Sequence, residues 1–202
     1  MTAEFYNNAT CPACGHHVAV LFFDGGNQPL ATIAWPRSNL EARAMPALPL
    51  SFVRCVDCGH VYNKDFDYAH VPYSDKPNLM FNRGFIWNEH LSRVRDVVLA
   101  KLPAKPVVVE IGCGEGHFLR SLAEARPEGR YIGFDPNGNV DTVNKRVEAR
   151  RELFDPGTHL SSCRPDMVIS RHVLEHLINP LGFLQRLAFS AGWLGMEMSL
   201  NL

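Results

Sequence analysis

Three glycines alternate at Gly112, Gly114 and Gly116, between the β-branched run Val107–Ile111 and the helix-like segment His117–Ala125. No other feature restricts the fold as tightly. Glycine has no Cβ, so the backbone can bend sharply and a ligand can lie against it. The helix that starts directly out of the turn offers unpaired N–H groups. A continuous β-branched run such as Val107–Ile111 reads as a buried strand of a parallel sheet.

The surrounding pattern extends this α/β reading. Apolar residues at Trp87, Leu91, Val94, Val98 and Leu102 recur at spacings of three and four, which predicts a helix within 78–102, ended by Pro103 and Pro106. Strands are predicted over 130–134 and 166–170, and helices over 140–151 and 180–188. A further strand near 152–154 is weakly marked. This alternation argues for βαβ units and a parallel sheet.

Two cofactor types use such a glycine turn. A dinucleotide turn needs G-x-G-x-x-G so that a pyrophosphate can rest on the helix N-terminus. Here the third position of that pattern is His117, and the third glycine is Gly116. A carboxylate, Glu110, stands two residues before Gly112. An anion there suits a ligand carrying an ammonium and a sulfonium better than a pyrophosphate. Asp135, at the end of the next predicted strand, is placed to accept hydrogen bonds from ribose hydroxyls. The segment Glu110-Ile111-Gly112-Cys113-Gly114-Glu115-Gly116 closely resembles the E-x-G-x-G-x-G turn of class I S-adenosylmethionine-dependent methyltransferases.

A second segment makes the resemblance more specific. Val173-Leu174-Glu175-His176, followed by Asn179-Pro180, is similar to the segment after the fourth strand in those enzymes. The resemblance implies that Glu110, Gly112, Cys113, Gly114, Gly116, Asp135, Pro136, Arg171 and His172 border S-adenosyl-L-methionine. It also makes His176 the candidate general base, since imidazole titrates near neutral pH. The bland alternative is that Glu175 and His176 simply cap or pair at the start of the next helix.

Cys11-Pro12-Ala13-Cys14-Gly15 and Cys55-Val56-Asp57-Cys58-Gly59 are two C-x-x-C-G knuckles. Two cysteines at that spacing can turn both sulfurs to one ion, and four thiolates match a closed tetrahedral zinc site with a structural role. Rubredoxin-like iron is the chemical alternative; free thiols or disulfides are the bland one. His16, His17 and His60 flank the knuckles, but four thiolates already suffice. Cys113 and Cys163 read as small buried residues. The first 75 residues contain only two clear β-like runs, 18–23 and 50–56, joined by a proline-rich stretch read as loop. So small a core needs a staple.

The knuckles, with Gly26-Asn27-Gln28-Pro29-Leu30-Ala31 and Pro49-Leu50, are similar to the zinc-binding domain that precedes sugar C-methyltransferases. That resemblance implies deprotonation beside a carbonyl of a nucleotide-linked sugar and attack of the enolate on the methyl group. It places Tyr73 and Ser74 at the active site, Tyr73 as a candidate catalytic residue. The expected architecture is a small loop-rich zinc-binding β domain over 1–75, then an incomplete Rossmann-like class I methyltransferase sheet over 76–202. Ala188 to Leu202 carries one charge, Glu197, and reads as a truncated or frame-shifted tail. The fourth strand would then be an open edge, and the chain an inactive fragment of its enzyme.

Charge and hydropathy exclude other classes. The net charge is -1 across 202 residues, so no basic excess argues for nucleic acid. No run reaches the ~18 apolar residues of a membrane helix. The N-terminus lacks a secretory pattern, so a reducing cytoplasm is expected. A small-molecule acceptor is the expected partner, and the oligomeric state stays open. Two further readings compete: a non-catalytic zinc-ribbon binding module with a degenerate nucleotide domain, and a nicotinamide or nucleotide-sugar oxidoreductase. Glu110 and His117 argue against the oxidoreductase.

Overall fold

A computed structural model describes residues 6–29, 36–70, 84–138 and 147–193. Its contacts divide the chain into two compact units, Met1–Asn78 with Ile178–Gly182, and Leu79–Leu177 with Phe183–Leu202.

The first unit is built on an antiparallel sheet in the order β1-β2-β3-β4, formed by Tyr6–Asn8, Val18–Pro29, Ala47–Cys55 and Val61–Asn63. β2 runs well past the expected end at Phe23. Asp24-Gly25-Gly26 forms an irregularity in the β2–β3 register instead of a chain reversal: Gly26 takes φ +62° and donates its N–H to Asp24 Oδ1 at 2.9 Å. A bulge of this kind absorbs extra residues without ending the pairing. Part of the expected loop is helical. α1 spans Asn39–Arg43, capped by Ser38, whose Oγ accepts from Glu41 N at 3.1 Å. The S-x-x-E signature of a capping box was present there.

The second unit is α/β. Its sheet is parallel throughout, in the order β7-β6-β5-β8, from β5 (Val107–Ile111), β6 (Arg130–Phe134), β7 (Val147–Arg150) and β8 (Met167–Ser170). Alternate residues serve opposite faces. Val108 and Tyr131 join a cluster with Leu119 and Leu122, against which Leu91, Val94 and Val98 of α2 (Phe85–Lys101) pack. Val109, Ile111, Ile132 and Phe134 join a second cluster with Leu160, Phe183 and Leu187. Apolar layers on both sides explain why these strands read as continuous hydrophobic runs. Among the described residues β8 pairs with β5 alone.

Three expectations fail here. The helix expected over 140–151 gives way to β7 at Val147–Arg150, and the strand expected near 152–154 is absent. Charged residues made this stretch look helical, yet Val147 is buried while Glu148 lies between Arg130 and Arg150, each 2.7–2.8 Å away. Pairing with β6 overrides propensity. A helix that was not expected, α4, spans Pro156–Cys163. Asp155 caps it by accepting from Thr158 N at 2.9 Å, and Pro156 opens it, which is the usual start signal. Finally, the last helix, α5, covers Pro180–Trp193 instead of stopping at Ala188, and it buries Ala191 in the tail that looked unstructured.

α3 (His117–Ala125) is tied to the sheet by a buried tyrosine. The Tyr131 hydroxyl lies 2.8 Å from the Arg126 carbonyl and 3.2 Å from that of Leu122, at the C-terminal end of α3. Tyr131→Phe leaves these carbonyls short of a donor, and is expected to destabilise the fold by about 1–2 kcal/mol. Urea denaturation of the two proteins, compared at equal slope, checks this; an unchanged midpoint would mean the hydroxyl contributes nothing.

Candidate methyl-donor site and cysteine cluster

In the first unit the two knuckles adopt the same local structure. Gly15 N donates to the Cys11 carbonyl and Cys11 N to that of His16, both at 2.8 Å. Gly59 N donates to the Cys55 carbonyl at 3.2 Å and Cys55 N to that of His60 at 2.8 Å. Gly15 and Gly59 take φ +76° and +77°, a region where a Cβ is costly. The result is four ligand-capable sulfurs, of Cys11, Cys14, Cys55 and Cys58, all within 4.8 Å of one another. None of the four is in a disulfide: the sulfurs of Cys14 and Cys55 lie 3.6 Å apart and those of Cys11 and Cys58 3.7 Å, far beyond a disulfide bond.

Crowded thiols split their proton affinities. The backbone N–H of Cys58 favours the Cys55 thiolate and, against burial, lowers its pKa to about 6. At Cys14 the backbone N–H of His16 pulls the same way, but burial and the neighbouring sulfurs prevail and push it up to about 12. Such a group can hold a metal ion, and a cation would relieve the mutual repulsion of its thiolates.

In the second unit the glycine turn lies at the C-terminal end of β5. Gly112, Gly114 and Gly116 take φ +70°, +54° and +71°. Gly112 N and Cys113 N both donate to the Phe134 carbonyl, at 2.7 and 3.3 Å. A Cβ on Gly112 would collide with Val173 Cγ2. Gly116 then caps α3. Cys113 faces Gly133 of β6, where a Cβ would come 2.5 Å from its Sγ. Burial, reinforced by Glu110 and Asp135, pushes this thiol up to about 12, so it is a neutral packing group.

Asp135 holds the turn. Its Oδ2 accepts from Gly114 N and its Oδ1 from Asn137 N, each at 2.9 Å. Each oxygen keeps a second lone pair. Pro136, next in the chain, is exposed.

Glu110 is fully buried. Burial raises its pKa, opposed by Arg171 and aided by Asp135. Arg171, just past β8, reaches Glu110 Oε1 with Nη2 at 2.7 Å and Nε at 3.1 Å. The sequence reading treated Glu110 as a bare anion beside the turn; it is one half of an ion pair. Phe118, in the first turn of α3, lies under the Arg171 guanidinium with its ring centroid 4.0 Å from Cζ. The visible signal for it in the sequence is an aromatic two residues after Gly116.

His172 turns the other way. It takes φ +56°, and its ring lies 5.6 Å from that of Trp87 on α2, with Glu175 Oε1 3.7 Å from Nδ1. His176 is exposed at the end of a 3₁₀ turn, Leu174–His176. His117 Nε2 lies 2.7 Å from Glu115 Oε2, on the exposed side of the turn. Tyr73 and Ser74 lie outside the described residues.

A family model described as a methyltransferase domain matches residues 86–195, more than half of the chain. The chain belongs to this methyltransferase family. Among curated proteins it is similar to a tRNA (guanine-N(7)-)-methyltransferase of Synechococcus elongatus, 31% identical over 86 residues, or 42% of this chain and 37% of that protein. A protein of the same name from Syntrophotalea carbinolica is 30% identical over 96 residues, 46% of this chain and 38% of its own length. The chain thus spans well under half the length of these relatives.

A methyltransferase domain implies S-adenosylmethionine, and the residues present fit it. Glu110 Oε2 is a buried acceptor with no hydrogen-bond partner among the described residues, as a site for a cationic ligand group requires. The glycines leave backbone open to close approach. The methyltransferase turn should therefore resist substitution. Gly112→Ala combines a left-handed φ with the Val173 collision and is expected to lose about 1–3 kcal/mol of stability together with S-adenosylhomocysteine binding. Chemical denaturation and calorimetry read the two effects; a stable variant with unchanged affinity would show the turn is not a close-approach site.

Proposed function

We propose that the second unit is a class I S-adenosylmethionine-dependent methyltransferase domain with its cofactor at the Glu110–Gly116 turn. The single observation behind this is the buried acid and left-handed glycine turn at the C-terminal edge of a parallel sheet, within the segment that matches the family. Ligands of open α/β sheets bind at that edge. Asp135 has lone pairs left for ribose hydroxyls. When bound, the sulfonium supplies an electrophilic methyl group. The chain's own part is orientation and proton removal, and we assign the proton to His176, the exposed imidazole of the segment after β8.

For the acceptor, we propose a carbon beside a carbonyl on a nucleotide-linked sugar. The support is the knuckle motifs with Gly26–Ala31 and Pro49-Leu50, and a net charge of -1 that offers no excess of cations to a polyanion. The names of the relatives favour a second reading, guanine N7 of tRNA. Transfer of labelled methyl groups to nucleotide-linked ketosugars or to tRNA separates the two.

Calorimetry should show saturable binding of S-adenosylhomocysteine and none of NADH. Asp135→Ala, which frees both the Gly114 and Asn137 N–H groups, should weaken that binding by about 10- to 100-fold, and Asp135→Asn by less. His176→Ala should leave binding within about twofold while lowering turnover, since general bases contribute about 10²-fold or more. Absence of S-adenosylhomocysteine binding would favour the non-catalytic zinc-ribbon reading.

We further propose that Cys11, Cys14, Cys55 and Cys58 hold a structural zinc ion. Purified chain should carry one zinc, by elemental analysis, and Cys55→Ser or chelation should lower the thermal midpoint of the first unit. Iron in the purified chain, or a midpoint indifferent to chelator, would overturn the zinc assignment.

A further inference from the structure

Among the described residues, two that are not glycine take a left-handed φ, Arg164 at +46° and His172 at +56°. Arg164 ends α4, where a left-handed residue is an ordinary helix stop. His172 lies between β8 and the 3₁₀ turn Leu174–His176, where no helix end calls for that conformation. A side chain there costs free energy that glycine would not. The neighbours impose it. Arg171 is bonded to Glu110 at 2.7 Å, and Val173 fills the space that a Cβ on Gly112 would need. Glycine at 172 would serve both anchors without strain, so the fold alone does not call for an imidazole. Strain held in place by its surroundings clusters at ligand sites.

The imidazole is also oriented. Its ring lies 5.6 Å from that of Trp87, at 37° to it. Trp87 in turn meets His90, one turn along α2, at 5.6 Å. Glu175 Oε1 lies 3.7 Å from Nδ1, longer than a hydrogen bond but on the side that favours a proton on Nδ1. A neutral imidazole with its proton there carries its lone pair on Nε2. The side chain is 50% exposed, and Nε2 makes no hydrogen bond among the described residues. We infer that His172 is a contact for the methyl acceptor: Nε2 accepts a hydrogen bond from an O–H or N–H of the acceptor, and Trp87 holds the imidazole plane. An acceptor must approach the methyl group to about 3–3.5 Å before attack. Arg171 and Val173, on either side of His172, both border the glycine turn. The role is positioning and leaves proton removal to His176. It rests on the methyltransferase reading.

His172→Gly removes the imidazole and the strain together. Calorimetry on the full chain, saturated with S-adenosylhomocysteine, uses two probes in turn. A nucleotide-linked ketosugar offers hydroxyl donors, and guanosine 5′-monophosphate offers N–H donors. The wild type should bind one of them, and the arm that responds identifies the source of the donor. His172→Gly should weaken that probe about tenfold, keep S-adenosylhomocysteine within about twofold, and melt no lower than the wild type. Trp87→Phe, which keeps a ring beside the imidazole, should bind the probe nearly as the wild type does, whereas Trp87→Ala should approach the glycine variant. A merely structural imidazole would show the reverse, a lowered thermal midpoint with probe affinity unchanged. That result, or a wild type that binds S-adenosylhomocysteine but neither probe, would overturn the acceptor contact. If the wild type does not bind S-adenosylhomocysteine, the methyltransferase reading itself falls, and this inference with it.

Discussion

Gly114 donates its N–H to Asp135 Oδ2, and Gly112 and Cys113 donate theirs to the carbonyl of Phe134. These bonds tie the turn after β5 to the end of β6, and the site depends on them. The left-handed glycines bring no side chains to pack and lose much backbone entropy on folding. Its shape must be imposed from outside. The neighbouring strand does so with one carbonyl and one carboxylate. Gly138 allows the same closeness, since a Cβ there would meet Gly114 O and Asp135 Cβ, each at 2.8 Å. Asp135 is therefore at once part of the scaffold and a candidate ligand-binding group.

The charges around the turn follow from burial. A buried lone carboxylate at Glu110 would tend to take up a proton, the direction in which burial moves it. Arg171 opposes this at 2.7 Å. Burial first, and then the charges of Glu110 and Asp135, hold Cys113 protonated, so the turn carries carboxylates but no thiolate. The site thus holds two carboxylates, Glu110 and Asp135, against one cation, Arg171, whose neighbour His172 takes a left-handed conformation. Arg171 reaches Glu110 and His172 lies beside Trp87.

How much of this was legible depends on how local its cause was. The turn at 112–116, β5, β6 and β8 were visible because alternating glycines and β-branched runs act through the backbone of their own segment. β7 was not, since Val147–Arg150 becomes a strand only by pairing with Tyr131–Phe134. α4 was readable from Asp155 and Pro156 but too short to show a periodic face. In the site, the acid at 110 could be named from spacing. Its partner could not, since Arg171 lies sixty-one residues further on and meets it only through the β5–β8 pairing. The stacking of Phe118 and the collision that keeps Gly112 a glycine are likewise products of packing.

The first unit obeys a different constraint. Its apolar residues buried below one-tenth exposure are Ala19, Val53, Cys11 and Cys55, among the described residues, while Phe22, Phe23 and Phe66 remain exposed. At about 25 cal/mol per Å², so few small side chains cannot offset the entropy of ordering a sheet of this length. Two of the four are members of the sulfur cluster. The knuckles therefore supply half of that core as well as the candidate ligand set, and each is fixed by its own backbone bonds. Were one cation held by both pairs, its binding would close a long loop and the free energy of binding would enter the folding balance directly. The two knuckles share one backbone form, down to a left-handed glycine within one degree of φ, and so present their sulfur pairs alike in an otherwise loosely packed unit.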